Sequence, residues 1–176
     1  MNITKIILVG YMASGKSAVG KVLHKLLDYD YYDLDNFIEK NYHTSIENIF
    51  KTRGEIYFRE IERKSLEKII RIKKNLVLSL GGGTPCYFDT IDFLNSFNET
   101  KTFFLKSTIN TIYNRLRNSK IKRPLISHLK TELEIKEFIG KHLLERNHFY
   151  EKSEKKINTD SKTILNIANE IIKSLG

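Results

Sequence analysis

The sequence predicts an α/β fold in which a parallel β-sheet is flanked by helices. Two observations carry this prediction: five short apolar runs recur along the 176 residues, and segments of helical periodicity separate them. Strands that alternate with helices pair in parallel, because each helix carries the chain back across the sheet. No repeat, low-complexity tract or linker interrupts the alternation, so residues 1–176 are expected to form a single domain.

Each predicted element follows from the spacing of its apolar residues. Strands are expected at residues 5–9, 31–33, 76–80, 101–105 and 156–158. Helices are expected at residues 17–27, 36–42, 56–72, 89–95 and 108–117, and a last helix is expected to begin near Ser161 or Thr163. Residues 44–47 (TSIE) have the form of a capping box that opens a further helix, which Gly54 is expected to interrupt.

The net charge of the chain limits the classes of partner that it could bind. A net charge of +9 would suit a partner that carries phosphates, and nucleic acid is one such partner. The basic residues are scattered, however, and the most aromatic stretch, residues 29–35, is acidic, which is unsuited to stacking on a polyanion. A solvated, lysine-rich surface explains the charge better, so no nucleic acid is expected.

Other features of the composition indicate a cytoplasmic protein. No apolar run is long enough for a membrane span, and the N-terminus enters a strand pattern without the layout of a signal peptide. Cys86 is the only cysteine, so no intrachain disulfide is possible, which suits a reducing compartment. We therefore expect a cytoplasmic monomer with no membrane partner.

Residues 10–17 (GYMASGKS), here called the phosphate loop, match the pattern G-x-x-x-x-G-K-[ST] directly after an apolar run. Glycines let the backbone curl so that N–H groups point at phosphates, and the next helix adds positive charge at its N-terminus. Lys16 would reach the β- and γ-phosphates of a nucleotide, and the Ser17 hydroxyl would ligate Mg²⁺. The alternative is a strand-to-helix turn whose glycines serve only the bend.

Asp33 and Asp35 stand at the end of the second predicted strand, at the edge where open α/β sheets bind ligands. In an extended chain both carboxylates point the same way, with Leu34 on the other side. One carboxylate can hold Mg²⁺ or orient an attacking hydroxyl, and the other can accept hydrogen bonds from a hydroxylated substrate. The alternative for Asp35 is a helix cap, because residues 36–42 have a helical pattern.

Three further features are weak when taken singly. Residues 81–83 form a triple glycine after the third strand, where a ligand could lie against backbone N–H groups. Arg59 precedes Glu62 by three residues on a helix, which an ordinary ion pair also explains. Arg146 is by itself an ordinary helix arginine. These positions gain weight only from their combination.

The segment at about residues 118–131 differs from its surroundings. It lies between two predicted helices and holds Lys120, Lys122 and Arg123, with little apolar content before Leu125. A basic loop in a phosphate-handling protein suggests a mobile lid that closes over the nucleotide and excludes water. The alternative is an ordinary solvated connection between helices.

Taken together, these positions resemble the shikimate kinases, a family of small P-loop kinases of the nucleoside-monophosphate-kinase type. The resemblance runs from Lys5 to about Asp160. It rests on six motifs in register: GYMASGKS at 10–17, D-x-D at 33–35, F-R-x-x-E at 58–62, GGG at 81–83, R-P-L at 123–125 and R-x-x-x-Y at 146–150. It implies a five-stranded sheet in the order 2-3-1-4-5 with a mobile lid, and ATP-dependent, Mg²⁺-assisted phosphorylation of the 3-hydroxyl of shikimate.

The resemblance also implies roles for individual residues. Shikimate would be bound by Asp35, Arg59, Gly81, Gly82, Gly83 and Arg146. The two arginines would face its carboxylate, which the planar guanidinium fork suits, and Asp35 would face its hydroxyls. ATP would be bound by Ala13, Ser14, Gly15, Lys16, Ser17, Ala18 and Arg123. Lys16, Asp33 and Arg123 would be catalytic, and Asp33 would also assist the Mg²⁺ held by Ser17.

Two positions depart from the family pattern. Ala13 replaces a usual glycine, which is harmless if its φ is negative and costly if it is positive. Ala18 replaces a usual threonine and so lacks a hydroxyl that could bond an α-phosphate. The adenine contact is open between Arg115 and Arg117, because both precede the R-P-L motif.

Two other functions compete with this interpretation. One is a related small-molecule kinase, for example of gluconate or a nucleotide, against which Arg59, the triple glycine and Arg146 argue. The other is a non-catalytic nucleotide-binding paralogue weakened at Ala13 and Ala18. Retention of Asp33, Arg123 and the substrate residues argues against the second.

Overall fold

The sheet has the predicted topology. In the computed structural model, which describes residues 3–119 and 124–176, five parallel strands run in the order β2-β3-β1-β4-β5. The strands are β1 (Lys5–Val9), β2 (Asp30–Asp33), β3 (Leu76–Ser79), β4 (Thr100–Lys106) and β5 (Lys155–Asn158). β1 is central, paired with β3 and β4, so the phosphate loop that follows it leaves the middle of the sheet.

Helices connect successive strands, as the alternating pattern predicts. They are α1 (Lys16–Leu27), α2 (Leu34–Tyr42), α3 (Ile46–Ile72), α4 (Thr90–Asn95), α5 (Ile109–Arg117), α6 (Glu132–Tyr150) and α7 (Ile164–Lys173). Short 3₁₀ turns lie at Thr84–Cys86 and Pro124–Ile126. In the described parts of the chain, every helix is too short or too polar to cross a bilayer.

Apolar side chains fill both faces of the sheet. Along β1, Ile7 and Val9 join a core cluster with α2, α3 and α6, whereas Ile6 and Leu8 join a second cluster with α1 and α7. All four side chains are fully buried. A strand covered on both faces reads as a continuous apolar run, which explains why β1 was identifiable from sequence.

One predicted helix boundary was wrong and one predicted interruption was confirmed. Ser45, and not Thr44, caps α3, because its side chain accepts a hydrogen bond from the backbone N–H of Asn48. Gly54 interrupts α3 as predicted: its φ of 79° and ψ of 175° are not helical, and the helical backbone resumes beyond this kink and runs to Ile72. A capping box does occur in the fold, at Thr131 and Glu134, where α6 begins.

Candidate active site

The phosphate loop curls between β1 and α1, and two of its glycines adopt backbone angles that other residues rarely adopt. Gly10 and Gly15 have φ values of 147° and 103°. A Cβ on Gly10 would lie 2.9 Å from the carbonyl oxygen of Leu105, so a side chain there would displace backbone. The Lys16 ammonium lies against the loop and donates to the carbonyl oxygens of Gly10 and Tyr11, at 2.7 and 2.9 Å. The loop therefore holds its lysine over the concave backbone that the sequence predicted.

Ala13 lies in the left-handed region, with a φ of 60°. The sequence left its cost dependent on the sign of this angle, and the sign is the unfavourable one. A side chain with a Cβ in this conformation costs roughly 1–2 kcal/mol, because Cβ crowds the following carbonyl oxygen. The departure from glycine at this position therefore stores strain in the phosphate loop.

Ala13→Gly is expected to raise the free energy of unfolding by ~1 kcal/mol, because glycine removes the Cβ strain. Urea denaturation monitored by circular dichroism measures this change. Ala18→Gly is the matched control: Ala18 is exposed in the first turn of α1, where glycine should lower stability by about 0.5–1 kcal/mol. Equal destabilisation by both substitutions would contradict the strain at Ala13.

Ser17 and Asp33 meet at the carboxyl ends of β1 and β2. The Ser17 hydroxyl donates to Oδ2 of Asp33 at 3.1 Å. Both groups present oxygen atoms beside the phosphate loop. Mg²⁺ takes oxygen ligands and usually keeps several waters, so two protein oxygens next to a phosphate site suit it.

The carboxylates of Asp33 and Asp35 do not extend from one strand, so that prediction was wrong. β2 ends at Asp33, which caps α2 by accepting a 3.4 Å hydrogen bond from the Asn36 N–H. Asp35 lies in the first helical turn, and Leu34 is fully buried. The capping role considered for Asp35 therefore belongs to Asp33, because the helix starts two residues earlier than its apolar pattern indicated.

Asp35 lies in a strongly perturbing environment. Burial raises the pKa of its carboxyl to about 6, helped by the nearby carboxylates of Asp33 and Glu62 and opposed by Lys16. A Cβ on Gly81 would lie 2.8 Å from Oδ1 of Asp35, so the side chain packs directly over the triple glycine. Asp35 is thus a half-buried acceptor whose pKa lies well above the usual range of a carboxyl.

Arg59 is clamped by two carboxylates. Its Nη1 donates to Oε2 of Glu62 at 2.9 Å, and Glu62 is only 3% exposed. Its Nε and Nη2 donate to Oε1 of Glu55, and its Cζ lies 4.2 Å from the ring centroid of Tyr87. The Glu62 pair is therefore buried, unlike the surface ion pair that spacing alone allowed, and it fixes the guanidinium.

The triple glycine, residues 81–83, brings the predicted substrate residues together. A Cβ on Gly83 would lie 2.8 Å from Nη2 of Arg59, just as one on Gly81 would meet Asp35. The carbonyl oxygen of Gly82 accepts a 2.5 Å hydrogen bond from the hydroxyl of Tyr150. A side chain on Gly81 or Gly83 would push Asp35 or Arg59 aside, whereas a Cβ on Gly82 would meet no atom closer than 3.6 Å.

Arg146 reaches the site from α6. It lies one turn before Tyr150, and its Cζ is 5.9 Å from the ring centroid of Tyr11 in the phosphate loop. Burial raises the pKa of the Tyr150 hydroxyl, and the nearby charge of Arg146 opposes that rise. The two predicted substrate arginines, Arg59 and Arg146, thus come from different helices to the surroundings of the triple glycine.

Arg115 and Arg117 are clearly distinguished by their surroundings. Nη1 of Arg115 donates to the carbonyl oxygen of Ser14 at 3.0 Å, and Nη2 donates to that of Thr159 at 2.9 Å. Arg117 is exposed on α5. Of the two arginines, Arg115 is therefore the one beside the phosphate loop.

One predicted catalytic residue, Arg123, lies outside the described residues. Of the proposed lid at 118–131, the described C-terminal part contains the 3₁₀ turn Pro124–Ile126 and leads into α6. Its role as a lid stays a prediction.

Sequence reasoning missed three side chains of this site. They are Tyr87, Glu55 and His142. The ring of Tyr87 stacks on Arg59, and its hydroxyl donates a 2.8 Å hydrogen bond to Glu55. His142 is hydrogen-bonded to Tyr11. Glu55 stands four residues before Arg59, so helical spacing could have found it. Tyr87 and His142 meet their partners across the fold and leave no local pattern.

Comparison with known proteins places the chain among kinases of one kind. The family model described as shikimate kinase matches residues 12–176. The shikimate kinase of Flavobacterium johnsoniae is 40% identical over 172 residues, covering 98% of this chain and 99% of that protein. The shikimate kinase of Flavobacterium psychrophilum is also 40% identical, over 97% of this chain and 98% of that protein.

Solved structures agree with the sequence relatives. The shikimate kinase of Bacteroides thetaiotaomicron has a TM-score of 0.90 at 34% identity, over 98% of both chains. That of Acinetobacter baumannii, solved in complex with shikimate, has a TM-score of 0.85 at 28% identity, over 98% of this chain and 93% of that one. A gluconokinase of Sinorhizobium meliloti has a TM-score of 0.68 at 15% identity, over 99% of this chain and 93% of that one, which is a likeness of fold alone.

Proposed function

Because the chain belongs to the shikimate kinase family, we propose that it transfers the γ-phosphoryl group of ATP to the 3-hydroxyl of shikimate, releasing ADP. The observation that carries this proposal is the grouping of Arg59 and Asp35 around a triple glycine next to the phosphate loop. Such a site matches an acceptor with one carboxylate and several hydroxyls. That the chain acts as a cytoplasmic monomer stays a prediction.

The substrate would be oriented by charges that are already in place. Glu62, itself held by a 2.7 Å hydrogen bond from Thr84, fixes the guanidinium of Arg59. A substrate carboxylate would take over or share the Nε and Nη2 donors that Glu55 now occupies. Arg146 would supply the second positive charge. Ionised Asp35 would accept hydrogen bonds from the hydroxyls and set the face that the acceptor turns toward ATP.

The nucleotide would lie along the phosphate loop, with Arg115 as the arginine nearest its adenosine end. Lys16 would turn from the Gly10 and Tyr11 carbonyls to the phosphates. Ser17 and Asp33 would hold Mg²⁺, which neutralises phosphate charge during transfer. In the described residues no group of three or more His, Cys, Asp or Glu could cage a metal, so nucleotide and water oxygens would complete the shell.

Asp35 gives the reaction an expected pH dependence. Since its pKa is raised to about 6, kcat/KM for shikimate is expected to be full above that pH and to fall as pH drops through it. The raised pKa also means that ionised Asp35 costs folding free energy, and the cost grows as pH rises from the ordinary value of 3.8 to about 6. Asp35→Asn should therefore abolish most activity yet raise the free energy of unfolding at pH 8.

Rate profiles between pH 5 and 8 and urea denaturation at pH 8 measure these two effects. If Asp35→Asn keeps activity and its kcat/KM for shikimate falls below about pH 6 as in the native protein, Asp35 is not the group that causes the fall. Equal or lower stability of Asp35→Asn at pH 8 would contradict the burial of its charge.

The product identifies the reaction. After incubation with ATP, Mg²⁺ and shikimate, phosphorus–proton correlation NMR should place the new phosphate on O3 of the ring. Phosphate on another oxygen would leave the kinase fold intact but refute the proposed orientation by Asp35. No phosphorylated shikimate would refute the proposed function.

A further inference from the structure

Tyr11 stands at one of the unspecified (x) positions of the phosphate-loop pattern, yet its side chain is only 1% exposed. Its hydroxyl lies 3.1 Å from Nδ1 of His142 on α6, and the two rings pack edge to face with centroids 6.1 Å apart. The partners are 131 residues apart in the chain. The contact therefore ties the phosphate loop to the helix that carries Arg146.

Both partners of this hydrogen bond are uncharged near neutral pH. Burial raises the pKa of Tyr11 to about 12, so its hydroxyl keeps the proton. Burial, followed by the charge of Arg146, lowers the pKa of His142 below its usual value, which leaves the ring neutral at neutral pH. The hydrogen bond thus joins two neutral groups, and the imidazole tautomer sets which of them donates.

The backbone of Tyr11 contacts the catalytic lysine. Its carbonyl oxygen accepts hydrogen bonds from Nζ of Lys16 at 2.9 Å and from the N–H of Ser14 at 3.2 Å. A shift of Tyr11 would therefore move both the lysine and the turn of the loop. Anchoring the side chain in α6 removes that freedom.

The same face of α6 contacts the other half of the site. His142, Arg146 and Tyr150 follow each other at intervals of four residues, which places them in one row on the helix. His142 bonds Tyr11, Arg146 lies near the ring of Tyr11, and Tyr150 bonds Gly82. One helix row thus supports both the phosphate loop and the triple glycine.

We propose that Tyr11 is a positioning residue whose hydroxyl and ring have separate roles. Its hydroxyl, held by His142, fixes the phosphate loop around Lys16, and its ring supports Arg146 on the acceptor side. The inference rests on the proposed function, because it assigns nucleotide and acceptor to these two sides.

The two parts are separated by two substitutions. Tyr11→Phe removes only the hydroxyl, so it should weaken ATP binding and lower kcat about threefold to tenfold, and leave the KM for shikimate within twofold. Tyr11→Leu also removes the ring, so it should in addition raise the KM for shikimate at least threefold. A purely structural role would lower the melting temperature without this split.

His142 provides an independent check. His142→Leu should reproduce Tyr11→Phe, and the double variant should be no worse than either single one, because all three lose the same bond. His142→Asn keeps a polar side chain that can hydrogen-bond the Tyr11 hydroxyl, so it should recover at least half of the kcat that His142→Leu loses. Tyr29→Phe is the matched control: it removes a hydroxyl bonded at 3.1 Å to the Ile3 carbonyl, on the α1 side of the sheet, and should leave kcat and both KM values unchanged.

The ATP titration separates the failure of this inference from that of the proposed function, since calorimetry of ATP binding needs no acceptor. ATP affinity of Tyr11→Phe within 1.5-fold of the native protein would overturn the role of the hydroxyl, whatever the acceptor. Absence of turnover with shikimate in the native protein would instead overturn the proposed function. Additive losses in the double variant would overturn the assignment of His142.

Discussion

Lys16→Ala is expected to lower turnover by roughly 10²–10³, because it removes a preorganised charge that stabilises the transferring phosphoryl group. The two loop carbonyls that hold the ammonium, those of Gly10 and Tyr11, would remain, so the fold of the loop should survive. Initial rates at saturating ATP and acceptor measure the effect. Lys21→Ala, at an exposed lysine of the same helix, is the control and should match the native protein. A Lys16→Ala variant with more than half of native turnover would refute the phosphate loop.

Arg146→Ala is expected to weaken shikimate binding at least tenfold and to leave ATP affinity within about threefold. Removing one partner of a desolvated charge pair typically costs ~2–5 kcal/mol, and ~1.4 kcal/mol corresponds to a factor of ten. Titration calorimetry with each ligand separates the two effects. Arg71→Ala, at an exposed arginine near the end of α3, should change neither affinity.

Arg123→Ala is the informative comparison for Arg146, because the family pattern places Arg123 on the nucleotide side. It should act mainly through ATP affinity and turnover. If Arg146→Ala loses ATP binding and keeps shikimate binding, the acceptor site has been assigned to the wrong side of the phosphate loop.

The middle of the sheet was predictable because β1, β3 and most of β4 are buried on both faces. β1 was predicted to the residue, as Ile6, Ile7, Leu8 and Val9 form one apolar run. β4 proved longer than its apolar run, ending at Lys106, because backbone pairing continues where the side chains turn polar. The apolar pattern of the sequence therefore predicts the middle of a strand but not the residues at which it ends.

The site was predictable in its residue types and less so in its geometry. Lys16 and Arg59 lie on the helices that their motifs indicated, whereas Asp35 lies in the first turn of α2 and not on a strand. The start of α2 at Leu34 was missed, because a polar first turn hides the helical period. The Tyr11–His142 contact was out of reach, because a bond across 131 residues depends on tertiary packing.

ADP release in the presence of different acceptors tests most directly whether shikimate is the acceptor. Release coupled to a spectrophotometric assay would be compared for shikimate, gluconate, a nucleoside monophosphate and no acceptor. We expect rapid, saturable release with shikimate and background rates with the other three. Faster release with gluconate or the nucleotide, or the same slow rate in all four, would contradict this expectation.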